Sequence, residues 1–131
     1  MISESIKWHL GEVEANAHLS KYTVSDNLEQ SVYRLLAFIS ESENVSKQEI
    51  SSAVEDIADE TNAETAVFLY SLAISLDKRN SLLIKILKNV YTCRDILGVD
   101  KVYGVYHQIC HITFAFWELD SEEVLEEKKN I

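Results

Sequence analysis

The sequence predicts an all-α protein, a compact bundle of about six helices in which neighbours run antiparallel and are joined by short turns. The 131 residues include no proline and only three glycines, whereas an all-β or α/β chain of this length normally needs more turn-forming residues. Apolar residues recur at helical spacing along most of the chain. Three capping-box patterns, in which a polar N-cap residue is followed three positions later by glutamate, mark helix starts at Asp26, Ser46 and Thr61.

The first four helices follow from these starts and from the spacing of their apolar residues. Helix one runs from about Ser5 to Leu19, and its inward residues are Ile6, Leu10, Val13 and Ala17. After Asp26, the inward residues of helix two are Leu28, Val32, Leu35, Leu36 and Ile39. After Ser46, those of helix three are Ile50, Ala53, Val54 and Ile57. After Thr61, those of helix four are Ala66, Val67, Tyr70, Ala73 and Ile74.

Two further helices are predicted in the last third of the chain. Helix five carries an apolar stripe and ends near Gly98, a suitable C′ glycine; the stripe is formed by Leu83, Ile86, Leu87, Val90 and Leu97. Asp100 can cap helix six, which extends to about Glu118. Because helix six is apolar or aromatic nearly all round, we expect it at the centre of the bundle. Residues 120–131 form a charged tail that we expect to be frayed.

Length and composition are those of one globular domain covering residues 1–131, with 47% hydrophobic and 26% charged residues. The N-terminus has no apolar run of signal-peptide length, and no segment approaches 18 uninterrupted apolar residues, so we expect a cytoplasmic protein. Cys93 and Cys110 lie within apolar helical patterns, which favours reduced, buried thiols over a disulfide.

Motifs that carry chemistry are weak or missing. His107, Cys110 and His111 share a helical segment, but a zinc site needs three or four protein ligands, and core histidines are the simpler interpretation. Glu123 and Glu126 have the ExxE spacing of helical magnesium-dependent pyrophosphohydrolases, without the second motif. No arginine precedes a histidine at the spacing of HEPN ribonucleases, and there is no phosphate-binding glycine loop. We therefore predict a protein that is not an enzyme and needs no metal or cofactor.

Charge is the most informative feature of the sequence. The formal net charge is −10, which disfavours nucleic acid and anionic membrane as partners and favours a basic protein. The stretch from Glu41 to Glu64 has eight acidic residues and one basic residue. Helical spacing places Glu49, Asp56, Asp59 and Glu60 on one face of helix three. Positive charge gathers around helix five, so we predict a polarised molecule. Alternatively, the acidic face is an ordinary solvated surface.

In its size, its acidic helical segment from Glu49 to Glu64, and its lack of catalytic motifs, the chain resembles the small bacterial immunity proteins that neutralise nuclease toxins, including helical members from contact-dependent growth-inhibition systems. The resemblance implies an inhibitor that covers the active site or substrate groove of a basic toxin domain. The partner-binding residues that we predict are Glu41, Glu43, Glu49, Asp56, Asp59, Glu60, Tyr22 and Tyr33. The alternatives are a phage or bacterial adaptor, or a nucleic-acid mimic, that binds a basic host protein, and a small metal-dependent helical enzyme.

Overall fold

The computed structural model describes residues 2–20 and 24–97, and within those ranges the protein is all-helical, as the sequence predicts. The five helices of this part are α1 (Glu4–Leu19), α2 (Asp26–Glu41), α3 (Lys47–Ala58), α4 (Ala63–Leu76) and α5 (Asn80–Leu97). The predicted sixth helix, its Asp100 cap, Gly98, Cys110 and the charged tail lie outside the described residues.

Polar N-caps begin the first four helices, and in each the cap side chain accepts a hydrogen bond from a backbone N–H in the first turn. Ser46 caps α3 as predicted, since its hydroxyl accepts from the N–H of Glu49 at 3.3 Å. The predictions for α2 and α4 are wrong by one residue. Ser25, rather than Asp26, caps α2, and Asn62, rather than Thr61, caps α4.

Contacts with Ser20 explain both displaced caps. The hydroxyl of Ser25 accepts from the N–H of Leu28 at 3.1 Å and also contacts the Ser20 hydroxyl at 3.2 Å. Asn62 uses both ends of its amide: Oδ1 accepts from the N–H of Thr65, and Nδ2 donates to the carbonyl of Ser20, each at 3.0 Å. Asn62 therefore gains a tertiary hydrogen bond as well as its capping bond.

Helix α4 packs against both α3 and α5, α1 packs against α2, and α1 also contacts α3 more lightly. Four residues separate α3 from α4 and three separate α4 from α5, so helices that pack along one another across such short turns run antiparallel. Helix α4 is buried on almost every side, through residues Thr65, Ala66, Val67, Leu69, Tyr70, Ser71, Leu72, Ala73 and Ile74. It is the central helix of the described part.

The core agrees closely with the predicted inward faces. All four inward residues predicted for helix one are buried, and so are Leu83, Ile86, Leu87 and Val90 of α5. Leu36 and Ala53 are only half-buried and pack at the edge of the core. No helix of the described part has the length and apolar character needed to cross a membrane.

Gly11 lies exposed in the middle of α1, and a Cβ placed there would meet no atom of the described residues within 4 Å. Glycine inside a helix is less favourable than alanine because its backbone loses more conformational freedom on folding. We therefore predict that Gly11→Ala raises the free energy of unfolding by about 0.5–1 kcal/mol, measured by urea denaturation. Ala15→Gly, on the same exposed face, should lower it by a similar amount, and a destabilising Gly11→Ala would contradict the open environment described here.

Candidate functional site

The acidic residues of α3 and of the turn after it form two stripes. Residues four apart share a helical face, and positions one residue apart differ by about 100° in direction. Ser51, Glu55 and Asp59 therefore form one line, here called the inner stripe. Glu49, Asp56 and Glu60 form another, the outer stripe, about a quarter of a turn away. The two stripes have different surroundings in the folded chain.

Glu55 of the inner stripe binds two cations, one from the turn between α4 and α5 and one from α5. Its Oε1 accepts a hydrogen bond from Nη1 of Arg79, and its Oε2 accepts one from Nζ of Lys85, each at 2.8 Å. The Glu55 side chain is only 15% exposed. With both carboxylate oxygens occupied by charged donors, Glu55 links α3 to the start of α5 and to the turn before it.

Asp59 and Ser51 extend this ion-pair cluster in both directions. Lys85 Nζ lies 3.0 Å from Asp59 Oδ1, and the Tyr70 hydroxyl donates to the same oxygen. At the other end, the buried Ser51 hydroxyl donates to the carbonyl of Ala73 at 2.7 Å and accepts from Arg79 Nη2 at 3.0 Å. Together with Glu55, Arg79 and Lys85, these residues form what we call the charge network.

Asp77 adds a second negative charge beside Arg79. Its Oδ2 lies 3.3 Å from Arg79 Nε but outside hydrogen-bond geometry, so it acts on the guanidinium as a neighbouring charge. Lys85 also lies over the Tyr70 ring, 5.6 Å from its centroid, a cation–π contact. Both cations of the charge network are therefore already engaged within the chain.

Protonation follows from these contacts. Burial alone would raise the pKa of Glu55, but hydrogen bonds and charge attraction from Lys85 and Arg79 outweigh it and lower the pKa. Burial would also raise the pKa of Asp59, but the hydrogen bond from the Tyr70 hydroxyl and the charge and hydrogen bond of Lys85 outweigh it and lower the pKa. Burial and the bond to Asp59 raise the pKa of Tyr70. Burial acts to lower the pKa of Lys85, but its two carboxylate partners raise it overall. All four groups keep their ordinary charge states at neutral pH.

Two residues of the outer stripe, Asp56 and Glu60, border an open groove between α1 and α3. We call it the α1–α3 groove; its volume is about 510 Å³, and its lining residues are Ile2, Lys7, Leu10, Gly11, Glu14, Ala53, Asp56, Ile57 and Glu60. Leu10 and Ile57 are buried and form the floor. Asp56 and Glu60 are exposed at its edge, and neither forms an ion pair or side-chain hydrogen bond with the described residues.

The other predicted partner-binding residues are dispersed. Glu41 ends α2 and Glu43 lies in the loop after it, both exposed, and Glu49 is exposed in the first turn of α3. They lie near the start of α3, whereas Asp56 and Glu60 lie at its end, and a 12-residue helix is about 18 Å long. Asp59 is 42% exposed but belongs to the charge network. Tyr33 is 63% exposed on α2, and Tyr22 lies outside the described residues.

The structure thus divides one acidic sequence segment into an internally paired part and an exposed part. Among the described residues, no group of three or more histidine, cysteine, aspartate or glutamate side chains is arranged to hold a metal ion. The cluster of His107, Cys110 and His111 lies outside those residues. Comparison of the chain with protein-family models, curated proteins and solved structures finds no match.

Sequence reasoning missed the contribution of α1 to this surface. The helical pattern predicts Leu10 only as a core residue and predicts no role for Gly11 or Glu14. The signal that the sequence offers is a glycine in the middle of a helix. Trp8 lies outside the groove. Trp8 is 59% exposed, and its ring packs edge-on against that of His9, with the centroids 5.0 Å apart.

We predict that Lys85→Met lowers the free energy of unfolding by about 1–2 kcal/mol, because it leaves Glu55 with one cation and Asp59 with none. The figure is modest because Lys85 is 37% exposed and solvent screens its charge. Lys88→Met is the matched control, since Lys88 is exposed on the same helix and its side chain has no partner in the described chain. Urea unfolding of both variants gives the comparison; equal effects would mean that the charge network adds nothing.

Acid should weaken the charge network. A carboxylate whose pKa is lowered by folding contributes its full stability above its unfolded pKa and loses it as the pH falls through the folded value. The ordinary values are 4.5 for Glu55 and 3.8 for Asp59, so the loss begins below about pH 4.5. We predict that Glu55→Gln flattens the fall in stability between about pH 5 and pH 3, relative to the exposed control Glu41→Gln. Superimposable curves would argue against the ion pairs.

Proposed function

We propose that this chain is an inhibitor of the immunity type, which binds a basic protein, a toxin nuclease domain, and covers its active site or substrate groove. The observation that supports the proposal is the division of charge around α3. Arg79 and Lys85 are occupied by Glu55 and Asp59, so within the part of the chain that the structure describes the negative charge of Asp56 and Glu60 is uncompensated. A negative surface of this kind attracts a positively charged protein surface.

The mechanism follows from the position of these carboxylates. Exposed charges act at a distance of about 8 Å at physiological salt, so they accelerate the encounter with a basic partner and orient it. Tight retention requires contacts that exclude water, for which exposed apolar and aromatic side chains such as Trp8 and Tyr33 are available. A nuclease must present cationic side chains to bind phosphates, and those side chains are the ones that the carboxylates would occupy.

The experiment is affinity capture from a lysate of the source organism with the tagged chain, at low and moderate salt, followed by mass spectrometry. The Asp56→Lys/Glu60→Lys double variant serves as the second bait, after circular dichroism has verified its helical content. Both substitutions place a positive charge near the C-terminal end of α3, where the helix dipole favours cations, so we expect the fold to be retained.

We predict that the unmodified chain captures one basic protein with nuclease activity, that purified chain suppresses that activity, and that the double variant captures about tenfold less. Three results would contradict the proposal. The first is that no protein is retained at low salt. The second is that the retained protein is a non-toxic DNA-binding host protein, as an adaptor or nucleic-acid mimic requires. The third is that magnesium or zinc stabilises and activates the chain, as it would an enzyme.

A further inference from the structure

The α1–α3 groove takes no part in the charge network, and its lining combines apolar side chains with charged ones. Leu10 and Ile57 supply an apolar floor, with Ala53 beside them. Helices α1 and α3, which contact each other only lightly, form the walls, and the space between them has a volume of about 510 Å³. An apolar trough between two helices matches the shape of an amphipathic helix, the recognition mode of many helix-binding proteins.

Gly11 gives the α1 wall an unusual profile. Among residues 2–20 and 24–97, no atom lies within 4 Å of where its Cβ would be, so packing within the described fold does not require glycine at this position. Glycine on a helix surface lets another backbone approach closely, at a cost to the stability of the helix that carries it. The absence of a side chain at this edge therefore widens the entrance to the groove.

The charges at the edge define the occupant. Three acids, Glu14, Asp56 and Glu60, and one lysine, Lys7, line the groove. The Lys7 Nζ lies 3.5 Å from Glu4, outside the groove, and Glu14 lies 3.9 Å from the His18 imidazole, so Asp56 and Glu60 are the lining acids with no ion pair among the described residues. Asp56 and Glu60 are one helical turn apart, the spacing of successive lysine or arginine side chains along one flank of a helix. With a net charge of −10, a second copy of this chain or a nucleic acid would be repelled.

We infer that the α1–α3 groove seats a basic amphipathic helix of the protein partner, an inference that rests on the proposed function. The apolar side of that helix packs on Leu10 and Ile57, and its cationic flank pairs with Asp56 and Glu60. Its backbone passes closest to the chain at Gly11. This assigns the attachment point to α1 and the end of α3, and not to the acids at the start of α3.

The test uses synthetic peptides of leucine and lysine, about 18 residues long so that a helix of ~27 Å can form. One peptide has leucine at i, i+3, i+4 and i+7, and a scrambled peptide of the same composition lacks this pattern. Titration into ¹⁵N-labelled full-length chain should shift the amide signals of Leu10, Gly11, Ala53 and Ile57 with the patterned peptide. The scrambled peptide should bind about tenfold more weakly.

Variants localise the binding. Gly11→Gln, which fills the entrance with a good helix-forming residue, should weaken binding of the patterned peptide about tenfold, and Gly11→Ala, which adds only a methyl group at the point of closest approach, should weaken it about threefold. Asp56→Lys/Glu60→Lys should weaken binding of the patterned peptide about tenfold. Glu41→Lys/Glu43→Lys, with the same change of charge outside the groove, should have a much smaller effect.

Other outcomes separate the inference from the function on which it rests. Equal weakening by the two charge reversals, equal binding of both peptides, or signal shifts away from α1 and α3 would overturn the groove as the docking site. If lysate capture still recovers a basic nuclease, the proposed function stands without it. If the patterned peptide fills the groove as expected but no basic protein is captured, the groove is a helix-binding site and the proposed inhibitor function fails.

Discussion

Helix α4 is apolar on almost every side, and the arrangement of α3 and α5 follows from the need to bury it. Nine of its fourteen residues are buried, on all sides of the helix. A helix of this kind must be enclosed by neighbours, because each apolar side chain left in water costs about 1.5–3 kcal/mol. Once α3 and α5 flank it across short turns, Glu55 comes within reach of Arg79 and Lys85. The charge network is therefore a consequence of how α4 is buried.

Local sequence pattern was sufficient for most of the fold. The spacing of Ile6, Leu10, Val13 and Ala17 fixes which face of α1 turns inward, because helical periodicity depends on no other part of the chain. The caps of α2 and α4 were misplaced by one residue because two adjacent residues in each case can serve as caps. Ser20, which is distant in sequence from Asn62, favours one of them through a tertiary hydrogen bond.

The candidate site was less predictable than the helices because it depends on contacts between residues that are distant in sequence. The acidic character of α3 is evident from sequence, but which carboxylates stay exposed depends on where α5 places its cations. Asp59 was grouped with Asp56 and Glu60 because all three lie within one sector of the helix. The actual division falls between Asp56 and Asp59, since Lys85 and Tyr70 reach only the inner stripe. The α1–α3 groove depends on contact between helices that are not neighbours in sequence.

The hydrogen bond from Asn62 to Ser20 has a consequence for how the two groups of helices are coupled. Most packing in the described part joins helices adjacent in sequence, α1 with α2, α3 with α4 and α4 with α5, and such local topology is typical of rapid folding. The Asn62–Ser20 bond spans 42 residues, so closing this loop costs more chain entropy than closing one of the short turns between neighbouring helices. This bond therefore couples the pair α1 and α2 to the group α3, α4 and α5, which otherwise meet through the lighter contact of α1 with α3.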